Sequence, residues 1–235
     1  AYSNFFFFLN STPNAYGDRL YLSDIYVVNA DGSNLRNITK EFQPDAFSNP
    51  VWSPDSKRIA FARKNAAVIT NSDGTKPQEY PIRDIHSILA WSADNNHLFY
   101  MDRSYGIYKA TVDFSSIEEI PLLYEFKFPP LISLSLDNKW LAYNYPYRSE
   151  QGNVSCNQIR IVNTDSFQDY FVYDYEDVET ATTNSSIPPS SSSMWFTSIN
   201  WMHNNSQLIF TQYVRYGVIL HDFEALFTIN IDGTG

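Results

Sequence analysis

Short apolar runs alternate with polar turns along the chain, and residues 52–61 show the arrangement most clearly. One strand reaches Trp52, a polar turn follows, and a second strand ends at Phe61. Pro54 presets φ for a turn position, and the Asp55 side chain can accept hydrogen bonds from nearby backbone groups. Heavy apolar residues flank the turn on both sides, as a packed β-hairpin requires.

This hairpin occurs four times. The copies begin at residues 52, 91, 134 and 201, so that the steps between them are 39, 43 and 67 residues. A four-stranded propeller blade takes roughly 40–45 residues. The first two steps therefore fit one blade each, and the third predicts a blade that carries inserted loops.

A second hairpin alternates with the first. It is a β-branched run that ends in a turn, and in three copies this turn is Asp-Gly, a strong short-range hairpin signal. The copies occupy residues 25–33, 68–75, 107–113, 159–165 and 226–234. Two interleaved hairpins, each repeated four or five times, predict a repeat protein.

The alternation of W-S-P-D-x-K-x-I-A-F with I-Y-V-x-N-x-D-G-S and L-x-x-I-T resembles the WD40-like repeat of TolB-type β-propellers. It is also similar to the repeats in propeller domains of prolyl-oligopeptidase-type peptidases. The resemblance covers nearly the whole chain. It implies an all-β fold, a β-propeller of four-stranded antiparallel blades with about five blades represented. Because propellers host many unrelated activities, it says little about function.

We letter the strands of a blade A to D from the axis outward, so that the first hairpin is A–B and the second is C–D. The expected single propeller spans residues 1–235, with blades at 5–40, 49–82, 87–124, 130–173 and 197–235. The first blade then lacks strand A, and the last lacks strand D. Since an open arc leaves unpaired edges, we expect either a piece of a larger propeller or a partner that supplies the missing strands.

Composition agrees with an all-β domain, because 17% of the residues are aromatic and only 18% are charged. The net charge of −10 disfavours nucleic acid and anionic membranes as partners. A basic or amphiphilic protein surface suits such a charge better, although the acidity could also serve solubility alone. No apolar run approaches the roughly 20 residues of a membrane span. The single cysteine, Cys156, allows neither an intrachain disulfide nor a thiolate zinc site.

Four long segments fall on B–C or D–A connections, which emerge on the same face of a propeller: residues 10–23, 144–157, 174–197 and 212–224. We predict that they are loops and that their face binds a partner, because loops on a rigid scaffold commonly carry function. Aromatic residues of the kind enriched at interface hot spots lie in or beside them. These are Tyr16, Tyr21, Tyr145, Tyr147, Tyr173, Tyr175, Trp195, Tyr213 and Tyr216. Alternatively, some of them are strand ends that pack the loops down.

Catalytic signatures are weak. The sequence has no G-x-S-x-G elbow and no H-E-x-x-H spacing among its four histidines. His86 and His221 fall on the predicted binding face and are weak candidates for metal binding, but we predict no cofactor. Turn chemistry explains the recurring turn aspartates. Asn153 and Asn184 are potential glycan acceptors in predicted loops.

Three functions remain open. The first is a non-catalytic protein-binding scaffold in an exported complex, periplasmic, cell-surface or extracellular, where export is implied only by the family resemblance. The second is the propeller domain of a peptidase whose catalytic domain lies outside this sequence. The third is a metal-dependent lyase or hydrolase with metal near His86 or His221. We favour the first function, because no residue pattern in the chain indicates a catalysed reaction.

Overall fold

A computed structural model describes residues 3–13, 19–42, 47–123, 130–148, 155–174, 192–216 and 221–234. Throughout these ranges the regular structure consists of antiparallel strands in chain order, without a helix. No membrane-spanning helix is therefore found among them. The chain divides into two compact units, residues 1–120 and 121–235.

The first unit contains three sheets. Their strands are β1 (Ser3–Pro13), β2 (Arg19–Asn29) and β3 (Arg36–Asn37); β4 (Val51–Trp52), β5 (Arg58–Arg63), β6 (Ala66–Asn71) and β7 (Gln78–Pro81); and β8 (Ile85–Trp91), β9 (His97–Asp102), β10 (Ile107–Thr111) and β11 (Ile117–Ile120). In each sheet, neighbours in sequence are neighbours in space. The first sheet corresponds to strands B, C and D of a blade, and the next two contain all four.

The second unit contains two sheets. Their strands are β12 (Ile132–Leu134), β13 (Trp140–Arg148), β14 (Ser155–Asn163) and β15 (Asp169–Asp174); and β16 (Ser192–Trp201), β17 (Gln207–Tyr216) and β18 (His221–Asn230). The fourth sheet of the chain has strands A to D. The fifth has A, B and C.

The apolar positions of the central strands pack between neighbouring sheets. In the first unit, Val27 of β2 packs with Phe61 of β5, and Ile69 of β6 packs with Leu98 of β9. All four side chains are at most 4% exposed. Burial of each such side chain stabilises the fold by about 1.5–3 kcal/mol. In the second unit, the corresponding cluster contains Ile161, Val172, Phe196, Leu208 and Phe210.

Side-chain hydrogen bonds stabilise the A–B turns. In the second sheet the Ser53 hydroxyl donates to Asp55 Oδ1 at 2.6 Å and accepts the Arg58 N–H at 2.9 Å. Asp55 Oδ1 also accepts the Lys57 N–H at 3.1 Å, while Ser56 adopts a left-handed φ of 58°. The third and fourth sheets repeat these bonds with Ser92 and Asp94 and with Ser135 and Asp137. The turn chemistry predicted for these aspartates is therefore confirmed.

The C–D turns use a second arrangement. Asp73 Oδ1 accepts both the N–H of Thr75, at 2.9 Å, and its hydroxyl, at 2.6 Å. Gly74 supplies the left-handed φ of 83° between them. Equivalent bonds form within residues 31–33, 113–115 and 232–234. The Thr75 side chain is the main reason why the pKa of Asp73 lies below its ordinary value.

A tryptophan joins neighbouring sheets. Trp91, the last residue of β8, donates its indole N–H to the Val51 carbonyl of β4 at 3.1 Å. The Arg58 guanidinium lies 4.6 Å from the centre of the Trp91 ring and donates to the Asn95 carbonyl at 3.1 Å. In the second unit, Trp201 donates equivalently to the Ser133 carbonyl at 2.9 Å. At Trp91 and Trp201, the repeat tryptophan therefore links an A–B hairpin to the preceding one.

Candidate binding face

Each sheet has two ends. At one end the A–B and C–D turns lie side by side, as shown by the Ser72 N–H, which donates to the Lys57 carbonyl at 2.8 Å. We call this end the A–B rim. The opposite end, where strand B turns into strand C and where strand A begins, is the B–C rim; in the second sheet Lys64 and Asn65 lie there.

The B–C hairpins differ in length. In the second sheet β5 and β6 have six residues each. By contrast, β1 and β2 have 11 residues each, β13 and β14 have nine, and β17 and β18 have ten. At about 3.3 Å per residue, the longer hairpins extend roughly 10–17 Å further than the short one.

The prediction that residues 10–23, 144–157 and 212–224 are loops is wrong over most of their length. Strands β1, β13 and β17 continue into these segments, as far as Pro13, Arg148 and Tyr216, and each pairs with the following strand in unbroken register. Continued pairing satisfies the backbone N–H and C=O groups, which an irregular segment would leave to water or side chains. Of residues 174–197, the structure describes Asp174 and, from Ser192, β16; residues 175–191 lie outside its description.

The predicted aromatic residues therefore lie largely on strands. Backbone pairing sets Trp195 opposite Tyr213, Tyr216 opposite His221, and Tyr147 opposite Cys156. Tyr21 lies in β2 opposite Ser11. For these strand segments the structure describes the backbone only. Tyr16 and Tyr175, like Asn153 and Asn184, lie outside the described residues.

Two of the predicted tyrosines have described side chains. The half-buried Tyr145 ring lies 5.8 Å from the Arg160 guanidinium. Tyr173 packs against the core, with its ring centre 5.1 Å from that of Phe210. Tyr173 is therefore a strand-end packing residue, the alternative that the sequence left open.

A buried polar network anchors the base of the β13–β14 hairpin. Arg160 Nε donates to Asp169 Oδ1 at 2.6 Å, and the Tyr143 hydroxyl donates to the other carboxylate oxygen of Asp169. Burial is the main cause that raises the pKa of Tyr143, and the bond to Asp169 adds to it. Sequence reasoning missed this network; its only signal was a single arginine within the apolar run of β14.

A cleft of about 940 Å³ opens at the B–C rim of the first unit, between the second and third sheets. Its apolar lining includes Val51, Ile85 and Ile88. Its basic lining consists of Arg63, Lys64, His86 and Arg103. Lys64 and Arg103 lie in the short B–C turns of the two sheets, where no long hairpin of those sheets covers them.

Among the residues that the structure describes, no carboxylate lines this cleft, and the described acidic groups nearby have other partners. Glu79 Oε1 accepts a hydrogen bond from Arg63 Nη1 at 3.1 Å, and Asp84 Oδ2 lies 3.3 Å from Arg83 Nε. Asp102 Oδ1 accepts the backbone N–H groups of Ser104 and Gly106, and Asp102 Oδ2 accepts the hydroxyl of Tyr108. The cleft is therefore a locally basic site on an acidic chain.

His86 lies in this cleft, exposed, with Nδ1 3.3 Å from the Ser87 hydroxyl and its ring 6.5 Å from Tyr105. For His221 only the strand backbone is described. Over the residues that the structure describes, no three histidine, cysteine, aspartate or glutamate side chains come together as a metal site would need.

Neither a family model nor a curated protein matches the chain. Among solved structures it is similar to oligogalacturonate lyase from Vibrio parahaemolyticus, with a TM-score of 0.58 and 10% identity over 98% of this chain and 58% of the lyase. It is also similar to the β-propeller domain of the Trilobed protease from Pyrococcus furiosus, with a TM-score of 0.53 and 14% identity over 94% of this chain and 64% of that one. A putative TolB from Agrobacterium tumefaciens matches with a TM-score of 0.47 and 15% identity over 90% of this chain and 86% of that one.

These likenesses define the fold. Together with five successive antiparallel meander sheets, they confirm the predicted all-β propeller of about five blades, in which the first and last sheets have three strands. The chain spans 58% of the lyase and 64% of the protease propeller domain. At this level of identity the likeness carries no activity across.

Proposed function

We propose that this chain is a non-catalytic, protein-binding propeller scaffold that engages its partner through the B–C rim. One observation carries the proposal. The β1–β2, β13–β14 and β17–β18 hairpins are prolonged beyond the short B–C hairpin of the second sheet, while the A–B turns remain tight.

A prolonged hairpin suits recognition better than a loop of the same length. Its backbone is already ordered by cross-strand bonds, so binding loses less conformational entropy. The prolonged strands also carry closely spaced aromatic residues: Tyr145 and Tyr147 on β13, and Tyr213 and Tyr216 on β17. Tyrosine and tryptophan provide large contact areas and are enriched at binding hot spots.

Charge and repeat type add to the proposal. A chain with a net charge of −10 is attracted to basic or amphiphilic protein surfaces, and that attraction raises the association rate. The TolB-like repeats are the reason to propose an exported complex, whether periplasmic, at the cell surface or extracellular.

Site-specific photo-cross-linking in the native source tests the proposal. A photoreactive residue replaces Tyr147 or Tyr216 at the B–C rim, and Leu136 serves as the control because it lies in an A–B turn and is 58% exposed. We expect one defined protein to be cross-linked from the first two positions and not from the third. With that protein purified, Tyr147→Ala and Tyr216→Ala should each weaken binding about fivefold or more. Cross-linking from Leu136 alone would overturn the proposal.

A further inference from the structure

The basic cleft in the first unit differs in charge from the rest of the chain. The whole sequence has a net charge of −10, yet among the described residues three cationic side chains and a histidine line the cleft without a carboxylate. Clefts lined by one sign of charge concentrate ligands of the opposite sign, because low-dielectric walls focus the field. The cleft therefore favours an anionic ligand.

The cationic groups divide into two kinds. Arg63 is held in place, since it donates to Glu79 at 3.1 Å and its guanidinium lies 5.1 Å from the Phe42 ring centre. Lys64 and Arg103 are exposed, and their side chains form no ion pair within the described ranges. Lys64 and Arg103 are therefore the positively charged side chains of the cleft that a ligand can pair with.

The remaining lining determines which kind of anion fits. Val51 and Leu89, both half-buried, contribute aliphatic surface to the cleft, which suits the side chains of Leu, Val or Ile. Ala62, Ile85 and Ile88 are at most 3% exposed and belong to the core. A volume of about 940 Å³ lies at the upper end of the roughly 300–1,000 Å³ typical of ligand sites. A short peptide with alternating acidic and aliphatic residues matches both the charge and the apolar lining. A polyanionic sugar would match only the charge.

We propose that this cleft binds an acidic–aliphatic peptide segment of the protein partner. The carboxylates of the segment pair with Lys64 and Arg103, His86 donates a hydrogen bond, and the aliphatic side chains lie on Val51 and Leu89. The inference rests on the proposed function, that the B–C rim binds protein, and it adds the chemistry of the bound segment.

Fluorescence anisotropy of the whole chain with labelled octapeptides tests the inference. One peptide alternates Glu with Leu, and its counterpart alternates Lys with Leu. We expect saturable binding of the acidic peptide only, which weakens as NaCl rises from 50 to 300 mM because the charges are exposed. The double variant Lys64→Gln/Arg103→Gln should weaken binding about fivefold or more. The matched control Lys57→Gln/Lys139→Gln removes two exposed positive charges from A–B turns and should change it less than twofold.

Three results would overturn the inference: no binding of the acidic peptide, equal losses in the two double variants, or a galacturonate hexamer that binds more tightly than the peptide. The outcome is separable from that for the proposed function. If partner cross-linking from Tyr147 persists without peptide binding, the inference about the cleft fails alone. If the peptide binds but no partner is cross-linked from the hairpins, the proposed function fails instead.

Discussion

The bond between Trp91 and the preceding sheet gives the sharpest test of how the blades are held together. Replacing Trp91 with Phe keeps an aromatic ring but removes the N–H that the Val51 carbonyl accepts at 3.1 Å. Trp91 is only 4% exposed, but Val51 is half-buried and lines the cleft at the B–C rim, so that water can partly replace the lost donor. Loss of one hydrogen bond costs about 0.5–1.5 kcal/mol, and the smaller ring adds about 1 kcal/mol for lost packing. We expect the free energy of unfolding to fall by about 1.5–2.5 kcal/mol.

Urea unfolding followed by circular dichroism measures this loss. Trp140→Phe is the matched control, because Trp140 is half-buried and packs edge-on against Tyr170 with ring centres 5.6 Å apart. That change should cost about 1 kcal/mol, the packing contribution alone. If the two substitutions destabilise the protein equally, the indole hydrogen bond does not hold neighbouring sheets together, and the reasoning is refuted.

Three further predictions concern the turns and the buried network. Hydrogen bonds from the Ser92 hydroxyl, which has the largest effect, and from Asn96 lower the pKa of Asp94 to about 2. The contribution of Asp94 to stability is therefore present above its unfolded pKa of about 4 and is lost as pH falls towards 2. As the pH is lowered, the free energy of unfolding of Asp94→Asn should therefore fall less steeply than that of the unsubstituted protein. Gly74→Ala should cost about 2–3 kcal/mol in urea unfolding, because its Cβ would lie 3.0 Å from Ile38 at a φ of +83°; Gly32→Ala, with open space around it, should cost about 1 kcal/mol. Asp169→Asn breaks a buried ion pair and should cost about 3 kcal/mol, and an unchanged midpoint would contradict the assigned network.

The features that could be predicted from the sequence are those specified by residues close together in the chain, above all the turns. The carboxylate of Asp55 was expected to accept backbone hydrogen bonds within its own turn, and it accepts the Lys57 N–H at 3.1 Å. Such a turn is specified by a few adjacent residues, and its repetition at blade intervals specified the fold.

The prolonged hairpins were less predictable, because segments such as residues 144–148 also contain turn-forming residues. The alternation of Tyr145 and Tyr147 was an available signal for a strand, since a period of two is typical of one. The basic cleft had no local signal at all. Lys64, His86 and Arg103 are distant in sequence, and the packing of the second sheet against the third brings them to one cleft.

Hydroxyl-radical footprinting of the complex purified from its natural source tests the central claim most directly. We predict a complex in which side chains at residues 144–148 and 212–216 are protected relative to the isolated chain. The A–B turns at Ser53–Lys57 and Ser135–Lys139 should remain as reactive as before. Protection confined to the A–B turns, or a monomeric protein with an identical footprint in the source and in isolation, would contradict a scaffold that binds through its B–C rim.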